Sequence, residues 1–416
     1  MKTRGAVLCA AAAATALLAY YLVSWAQVSP LRERGTDFSA SYVAALVIRD
    51  GQGARLYDQA YEHDRHLALL PPGTVIDLPF ITPPTTAVLA LPFTTLDLGT
   101  AYRAWSLLQL ALLAIAIAIV VRAAPWPEAF PRAARWATGG LGLAGVGAYS
   151  FLLLGQIDGI PALGLAAWYV LWRRDRLAWA GGLLALSFAA TKPQLGIGLA
   201  VFILARRDRR MLTGAAAGVA VAVLVALLAA GPSAFAGFVS SLVFALGNTP
   251  AASTVGAPGL VASWFDGGAV AGALGLALAI AALAGCAALG DRSRHCGRRI
   301  ESVVTGAIAL SLLASPHVLT HDLVLLDLPF VWLMARAAGA DGEQAWPGPL
   351  SRLLLAGWVV VNLTVDLDTG NGAAFPPGRL VPWSLIVVAL AAAAGTWGLL
   401  GRAYSGSGSG PGGSSE

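Results

Sequence analysis

The strongest constraint on this chain is a series of apolar runs long enough to cross a lipid bilayer, beginning at residues 6–25 and ending at residues 383–400. Hydrophobic residues make up 57% of the chain and charged residues only 12%, whereas a soluble domain carries about 25% charged residues. A span needs about 20 apolar residues, and a segment in lipid satisfies its backbone polar groups by forming a helix. We therefore predict an all-α polytopic membrane protein with about twelve transmembrane helices.

Basic residues occur in short clusters between the apolar runs, for example over 173–176 and 206–210. The positive-inside rule places such clusters in the cytoplasm, and we predict that both termini are cytoplasmic. Because the net charge of +5 is spread over these loops and not massed on one face, no nucleic-acid partner is expected. The alanine-rich run 6–25 also fits a cleaved signal peptide, but its length and interfacial Tyr20, Tyr21 and Trp25 favour an uncleaved first span.

A single transmembrane domain is predicted over residues 1–404, and the Gly/Ser-rich residues 405–416 are predicted to be a disordered tail or a linker. Three cysteines, Cys9, Cys286 and Cys296, show neither a disulfide framework nor zinc-ligand spacing. Asp366 and Asp368 form a DxD pattern that resembles the metal signature of soluble nucleotide-sugar enzymes. Since this pattern ends a span on the predicted outer side, we interpret it as a solvated loop.

Two small polar stretches, 155–158 and 191–194, interrupt the hydrophobic region between residues 138 and 230. The helices that reach them have only about 12–17 residues, fewer than a full span needs. Alternation with the basic clusters places both stretches on the outer side. Non-helical polar backbone at membrane depth is tolerated only where it is buried in protein or lines a cavity. The sequence therefore predicts a polar cavity at the outer face.

Asp37 follows the first span and lies in the longest polar stretch, the predicted outer loop 26–82. Apolar spacing predicts a short helix over 39–48, which puts Asp37 at or just before its N-terminus. A carboxylate at that position can simply cap the helix. It can also reach a lipid head group at the membrane face. We expect the polar stretches 155–158, 191–194 and 315–322 to converge on the same side.

Lys192 interrupts an apolar stretch at membrane depth, where a charge costs about 2.5–3.5 kcal/mol. Its ammonium is a natural partner for a phosphate, and the alternative is snorkelling to the interface. His317 and His321 are four residues apart, so that a helical turn would place them on one face. No third ligand accompanies them, and we expect hydrogen bonds to a phosphate or sugar there. No metal and no cofactor is predicted.

The chain also contains a series of short motifs that resemble those of a known protein family. Its motifs, in chain order, are Asp37-Phe38-x-x-x-Tyr42-x-Ala44-Ala45, Gly51, Leu56-Tyr57-Asp58, Phe80-x-x-Pro83-Pro84, Leu91-Pro92-Phe93, Gly155-Gln156, Lys192, and Ser315-Pro316 with His321. In order and spacing they resemble the polytopic glycosyltransferases of family 87. That family has the GT-C fold, and its best-known members are polyprenol-phosphate-mannose-dependent alpha-mannosyltransferases. Pro83-Pro84 and Ile157-Asp158 depart from the family pattern and leave the sugar and the acceptor open.

The resemblance implies a sugar delivered on a polyprenyl phosphate to a lipid or glycan acceptor, with membrane lipids around the protein. It places the enzyme in a bacterial inner membrane with its site facing the periplasm. The family's catalytic base carries over to Asp37, and its site histidine carries over to His321. We expect an inverting displacement in which Lys192, with His321 or Gln194, stabilises the departing phosphate. The other substrate-binding residues that we expect are His317, Gln156, Asp158 and Tyr57.

Two other classes of protein fit the composition. A transporter or flippase of lipid-linked sugars would also have a dozen spans and a polar cavity, but the chain shows no internal repeat. A non-catalytic membrane assembly subunit would use the same polar residues only to bridge helices. Sugar transfer by the purified protein separates both from an enzyme.

Overall fold

The computed structural model describes residues 2–29, 35–69, 78–145, 147–248, 254–265, 268–295, 300–340, 347–366 and 377–396. Over these residues the chain forms eighteen α-helices and four short 3₁₀ helices, and it forms no strand. The predicted all-α fold is confirmed. Residues 405–416, which the sequence predicts to be a disordered tail or a linker, lie outside the described residues, as do Cys296 and Asp368.

The α-helices follow one another along the chain. They are α1 Lys2–Ala26, α2 Asp37–Arg49, α3 Gln59–Leu67, α4 Pro84–Ala90, α5 Leu98–Ala123, α6 Arg132–Leu143, α7 Ala148–Leu154, α8 Gly159–Arg173, α9 Leu177–Ala189, α10 Ile197–Arg206, α11 Arg209–Ala230, α12 Ser233–Asn248, α13 Ala257–Ala262, α14 Gly268–Arg292, α15 Ile300–Ala314, α16 Asp327–Ala340, α17 Pro349–Asp366 and α18 Pro377–Thr396. The 3₁₀ helices are Gly53–Arg55, Leu91–Thr95, Pro193–Gly196 and Thr320–Leu326.

Several helices have the length and composition of membrane spans. Among the described residues, five segments qualify: Thr3–Ala26, Leu98–Ala123, Arg209–Ala230, Gly268–Arg292 and Thr320–Ala340. Helices α6 and α7 pass the same test as a pair and bend by 54° at their junction, which fits a broken span or a re-entrant loop. Six further apolar helices have 10–17 residues. The polytopic membrane character is therefore confirmed. The total of about twelve spans stays a prediction, since the shorter helices fall below full span length.

The interrupted region between residues 138 and 230 has the short helices that the sequence predicts. Gly155, in the left-handed conformation with φ 63°, ends α7. Pro193, directly after Lys192, starts a 3₁₀ turn and so separates α9 from α10, because proline cannot continue the hydrogen-bonding of a helix interior. Two non-helical breaks, 155–158 and 190–192, are thereby left between apolar helices.

Helix α2, which follows the first candidate span, packs against the helix bundle. Helix α2 packs the ring of Phe38 on Trp105 of α5, with ring centroids 5.3 Å apart, and this contact belongs to a buried cluster that also contains Tyr42, Tyr102 and Ile157. The predicted helix over 39–48 is thus confirmed as part of α2. Because its apolar face is buried on α5, the start of α2 is held beside the break at 155–158.

The main hydrophobic core lies among the longer helices. It contains Leu113, Trp168, Phe202 and Trp332, all buried. Burial of large aromatic side chains contributes much of the packing energy of a helix bundle. This core fixes the positions of α5, α8, α10 and α16, whose ends or connections carry the polar residues described next.

Candidate active site

Lys192 lies at the centre of a buried polar cluster in the break between α9 and α10. Its ammonium donates to Asp158 Oδ2 at 2.8 Å, to Asp322 Oδ1 at 2.6 Å and to Gln156 Oε1 at 2.9 Å. Lys192 is 6% exposed, Asp158 0% and Asp322 2%. A lysine ammonium has three donors and no acceptor, so all of its donors are used inside the protein.

This saturation does not favour the expected contact between Lys192 and a substrate phosphate. One ammonium lies between two carboxylates, and the ionised group of three therefore carries a net negative charge. A charge in a buried site is stable only when it is paired and hydrogen-bonded. Lys192 is therefore the counter-ion of Asp158 and Asp322.

Gln156 connects this cluster to Asp37. Its amide oxygen accepts from Lys192, and its amide nitrogen donates to Asp37 Oδ2. Asp37 is half-buried at the first position of α2, where Thr36 and not Asp37 is the N-cap residue. The carboxylate is therefore engaged with the break at 155–158 and is not the cap that sequence reasoning left open as an alternative.

The surroundings of Asp37 change its acidity. Desolvation raises the pKa of the Asp37 carboxyl from 3.8 to about 6; the Lys192 ammonium opposes this change, and the Asp322 carboxylate adds to it. Asp37 lies on α2, outside the candidate spans. A carboxyl with such a pKa is mostly ionised at neutral pH and still binds a proton more readily than an ordinary aspartate.

Two aromatic side chains of α5 hold the backbone of the first break. Trp105 donates its indole N–H to the carbonyl of Gly155 at 2.9 Å, and Tyr102 donates to the carbonyl of Leu153 at 2.8 Å. A Cβ at Gly155 would contact Phe38. The turn that presents Gln156 is therefore fixed between α5 and α2.

Helix α4 fixes the backbone of the second break, residues 190–192. Thr85 and Thr86 both donate to the carbonyl of Ala190, at 2.6 and 3.2 Å. Thr191 donates back to the carbonyl of Ser187 at 2.6 Å and is fully buried. These bonds satisfy backbone acceptors at the end of α9, and they fix the backbone that carries Lys192.

The histidine stretch reaches the same cluster. Asp322 Oδ2 accepts from the Leu319 N–H at 2.7 Å, and His321 Nε2 lies 3.5 Å from Asp322 Oδ1. His317 is half-buried and interacts electrostatically with Asp322 and Lys192. Its Nδ1 is buried without a hydrogen-bond partner in the described structure. A helical turn that would place His317 and His321 on one face does not form, because His317 precedes the 3₁₀ helix Thr320–Leu326.

Three side chains of the cluster have a spacing that could hold a metal ion. Ligand atoms of Asp158, His321 and Asp322 all lie within 4.8 Å of one another. The Lys192 ammonium, however, is hydrogen-bonded to both of these carboxylates. A metal ion would have to displace this positive charge, so the donor set as folded does not fit a metal.

Two of the expected site residues are not joined to this cluster. Tyr57 donates to the carbonyl of Thr82 at 2.6 Å and packs on Phe80 and Phe238, with ring centroids 5.6 and 6.0 Å away. Gln194 is half-buried on the 3₁₀ turn Pro193–Gly196, and no hydrogen bond links it to the cluster in the described part of the chain. Asp37, Gln156, Asp158, Lys192 and His321 are brought together.

Sequence reasoning missed two polar residues of this region. Asp322 was not expected as a site residue, although it follows His321 directly and an acidic residue at membrane depth is a signal in itself. His66, which carries no motif, is 2% exposed, and its Nε2 lies 3.1 Å from Ser39 Oγ, two residues after Asp37. Only the packing of α3 on α2 shows this contact.

The chain was compared with known proteins and with protein-family models. Neither the curated proteins nor the solved structures contain a match to this chain. A family model described as Glycosyltransferase family 87 matches residues 80–316. The matched segment includes Gln156, Asp158 and Lys192, whereas Asp37, His321 and Asp322 lie outside it. Because the match covers more than half of the 416 residues, the chain belongs to glycosyltransferase family 87 and is a membrane glycosyltransferase.

Proposed function

We propose that this glycosyltransferase moves a sugar from a polyprenyl-phosphate donor to a hydroxyl of a lipid or glycan acceptor, with Asp37 as the general base. The observation that carries the proposal is the position of Asp37. Its half-buried carboxylate lies at the start of a loop helix, is hydrogen-bonded by Gln156, and has a pKa of about 6. These are the properties of a group that is ionised at neutral pH and able to accept a proton.

The reaction is a single displacement with inversion. The acceptor hydroxyl oxygen attacks the anomeric carbon and gives its proton to Asp37. The bond between the anomeric carbon and the phosphate oxygen breaks, and its electron pair leaves with the polyprenyl phosphate. Positioned base catalysis contributes about 10²–10⁴-fold to such a step.

The departing phosphate needs positive charge or hydrogen-bond donors near it. Lys192 has all three of its donors engaged with Gln156, Asp158 and Asp322. We therefore assign contact with the phosphate to His321 and Gln194, and contact with the donor or acceptor to His317. His317 suits this role because it is half-buried at the edge of the cluster, between Pro316, which is exposed, and Val318, which is buried.

The donor and location follow the family resemblance. Mannose is the sugar that we propose first, carried on a polyprenyl phosphate. The site would then face the periplasm from a bacterial inner membrane, with both termini in the cytoplasm. The basic loops of the chain support this orientation, since they alternate with the breaks at 155–158 and 190–192.

The test uses the full chain in detergent with labelled polyprenyl-phosphate mannose and a lipid extract of the host membrane. We expect label to appear in a new lipid product. Asp37→Asn should bind the donor and form no product. Asp50→Asn is the matched control, because Asp50 lies at the other end of α2 and bonds to Arg49 and Arg65. Normal turnover by Asp37→Asn would exclude Asp37 as the base.

Measuring donor binding and product formation separately distinguishes a wrong acceptor, a different sugar and a flippase. Binding of labelled donor without product, in the presence of the full lipid extract, would reject this acceptor class. Product from a differently labelled polyprenyl-phosphate sugar, but not from the mannose donor, would replace mannose and retain the reaction type. A protein that moves labelled donor between vesicle leaflets without forming product would revive the flippase interpretation.

A further inference from the structure

We infer that Lys192 is a positioning residue that sets the orientation of the Gln156 amide, so that Gln156 donates a hydrogen bond to Asp37. This inference rests on the proposed function of Asp37 as base. It assigns to Lys192 a role within the protein in place of the phosphate contact expected from the sequence.

The two ends of the Gln156 amide make different kinds of hydrogen bond. The oxygen and nitrogen ends have nearly the same shape, but the oxygen only accepts and the nitrogen only donates. Gln156 has one end 2.9 Å from Lys192 Nζ and the other against Asp37 Oδ2. Because an ammonium only donates, the end that faces Lys192 must be the oxygen. The nitrogen end is then the one that faces Asp37.

Lys192 can impose this orientation because its own position is fixed. Asp158 and Asp322 each accept from the ammonium, at 2.8 and 2.6 Å, and all three side chains are buried. The two carboxylates come from elements far apart in the chain, the start of α8 and the 3₁₀ helix Thr320–Leu326. The ammonium is therefore held from two sides and keeps its third donor directed at Gln156.

The orientation matters for the protonation of the base. A hydrogen bond donated to a carboxylate favours its ionised form. Among the described residues, the charged groups that act on Asp37 are the Lys192 ammonium, which favours ionisation, and the Asp322 carboxylate, which opposes it; Asp37 and Asp158 also interact. Without Lys192 the amide is free to turn its oxygen toward Asp37, and the carboxylates act on Asp37 without a counter-charge. Both changes favour protonated Asp37.

The experiment measures kcat and the donor KM of Lys192→Met and Gln156→Leu across pH 5 to 9. We expect the acidic limb of the kcat/KM profile to move upward by about one pH unit in each variant, since one opposite charge or hydrogen bond commonly changes a pKa by that amount. The value of kcat/KM should fall about fivefold at pH 6 and recover at high pH, while the donor KM at high pH changes little. Asp50→Asn should keep the wild-type profile.

Gln156→Leu isolates the hydrogen bond to Asp37, because Lys192→Met also removes the counter-charge of two buried carboxylates. The double variant should shift the limb no further than the larger single shift, since both changes break one connected network. An unchanged limb in Gln156→Leu would overturn the inference. So would a raised donor KM with an unchanged limb in Lys192→Met, which is the signature of a phosphate contact. Absence of transfer by the wild-type chain would instead count against the proposed function.

Discussion

The amide nitrogen of Gln156 donates to the carboxylate of Asp37, a residue 119 positions earlier in the chain. This bond joins the start of α2 to the break between α7 and α8. Through the amide oxygen it also reaches Lys192 and the two carboxylates that hold the ammonium. The proposed base and the buried charges are thus parts of one network.

The pH dependence of transfer should report Asp37. The pKa of its carboxyl is raised to about 6, and only the ionised form accepts a proton. We therefore expect kcat/KM for the donor to rise as pH increases through about 6 and to level off above it. The measurement is a pH profile of initial rate at donor concentrations well below KM. A profile that is flat between pH 5 and 7 would contradict the assignment.

The same raised pKa predicts the opposite trend for stability. The unfolded carboxyl ionises near 3.8, whereas the folded one ionises at about 6. The contribution of Asp37 to stability is thus fully present below pH 4 and is lost as pH rises through 6. We expect the unfolding temperature of wild type in detergent to fall relative to that of Asp37→Asn as pH rises from 4 to 7. A constant difference between the two unfolding temperatures would mean that the folded carboxyl keeps its ordinary pKa.

Removing the Lys192 charge should destabilise the fold. Lys192→Met leaves Asp158 and Asp322 buried without a counter-ion, and breaking a buried pair from one side costs about 3–5 kcal/mol. Adding Asp158→Asn to that variant should restore part of the loss, because it removes one of the uncompensated carboxylates. Thermal unfolding of the single and double variants checks this. Equal unfolding temperatures for the two would show that Asp158 is not charged in the folded protein.

Gly155→Ala should reduce both stability and transfer. Gly155 has φ 63°, and an added Cβ would contact Phe38; the left-handed conformation alone costs an L-residue about 1–2 kcal/mol. Gly51→Ala is the matched control, since Gly51 has φ 71° and open space around its added Cβ. We expect similar backbone strain in both variants but a fall in kcat only in Gly155→Ala. Equal kcat values would show that Gln156 does not depend on this turn.

A second buried network should affect stability without affecting transfer. Glu301 is 1% exposed and accepts from Tyr169 at 2.8 Å, while Arg336 donates to its other oxygen. These residues connect α15, α8 and α16. Glu301→Gln removes the charge and keeps the shape, and we expect a loss of about 1–3 kcal/mol with an unchanged donor KM. A changed pH profile in this variant would mean that the two networks are coupled.

The sequence by itself determined the class of the protein and the positions of its breaks. Apolar runs, arginine clusters and the residues Gly155 and Pro193 act over a few neighbouring positions, so the membrane spans, the short helices and the two polar breaks could be read locally. The start of α2 near Asp37 could be predicted for the same reason. The order of short motifs also indicated family 87.

The tertiary structure decided how the polar side chains are paired. Lys192 bonds to Asp322 across 130 positions and to Asp158 across 34, and no local pattern encodes which groups will meet at such separations. That pairing uses all of the donors of Lys192, includes Asp322, and leaves Tyr57 in a different cluster. Residue type and spacing determine which groups must be buried at membrane depth. Helix packing determines which partners satisfy them, because a buried charge is stable only with the partner that the fold brings to it.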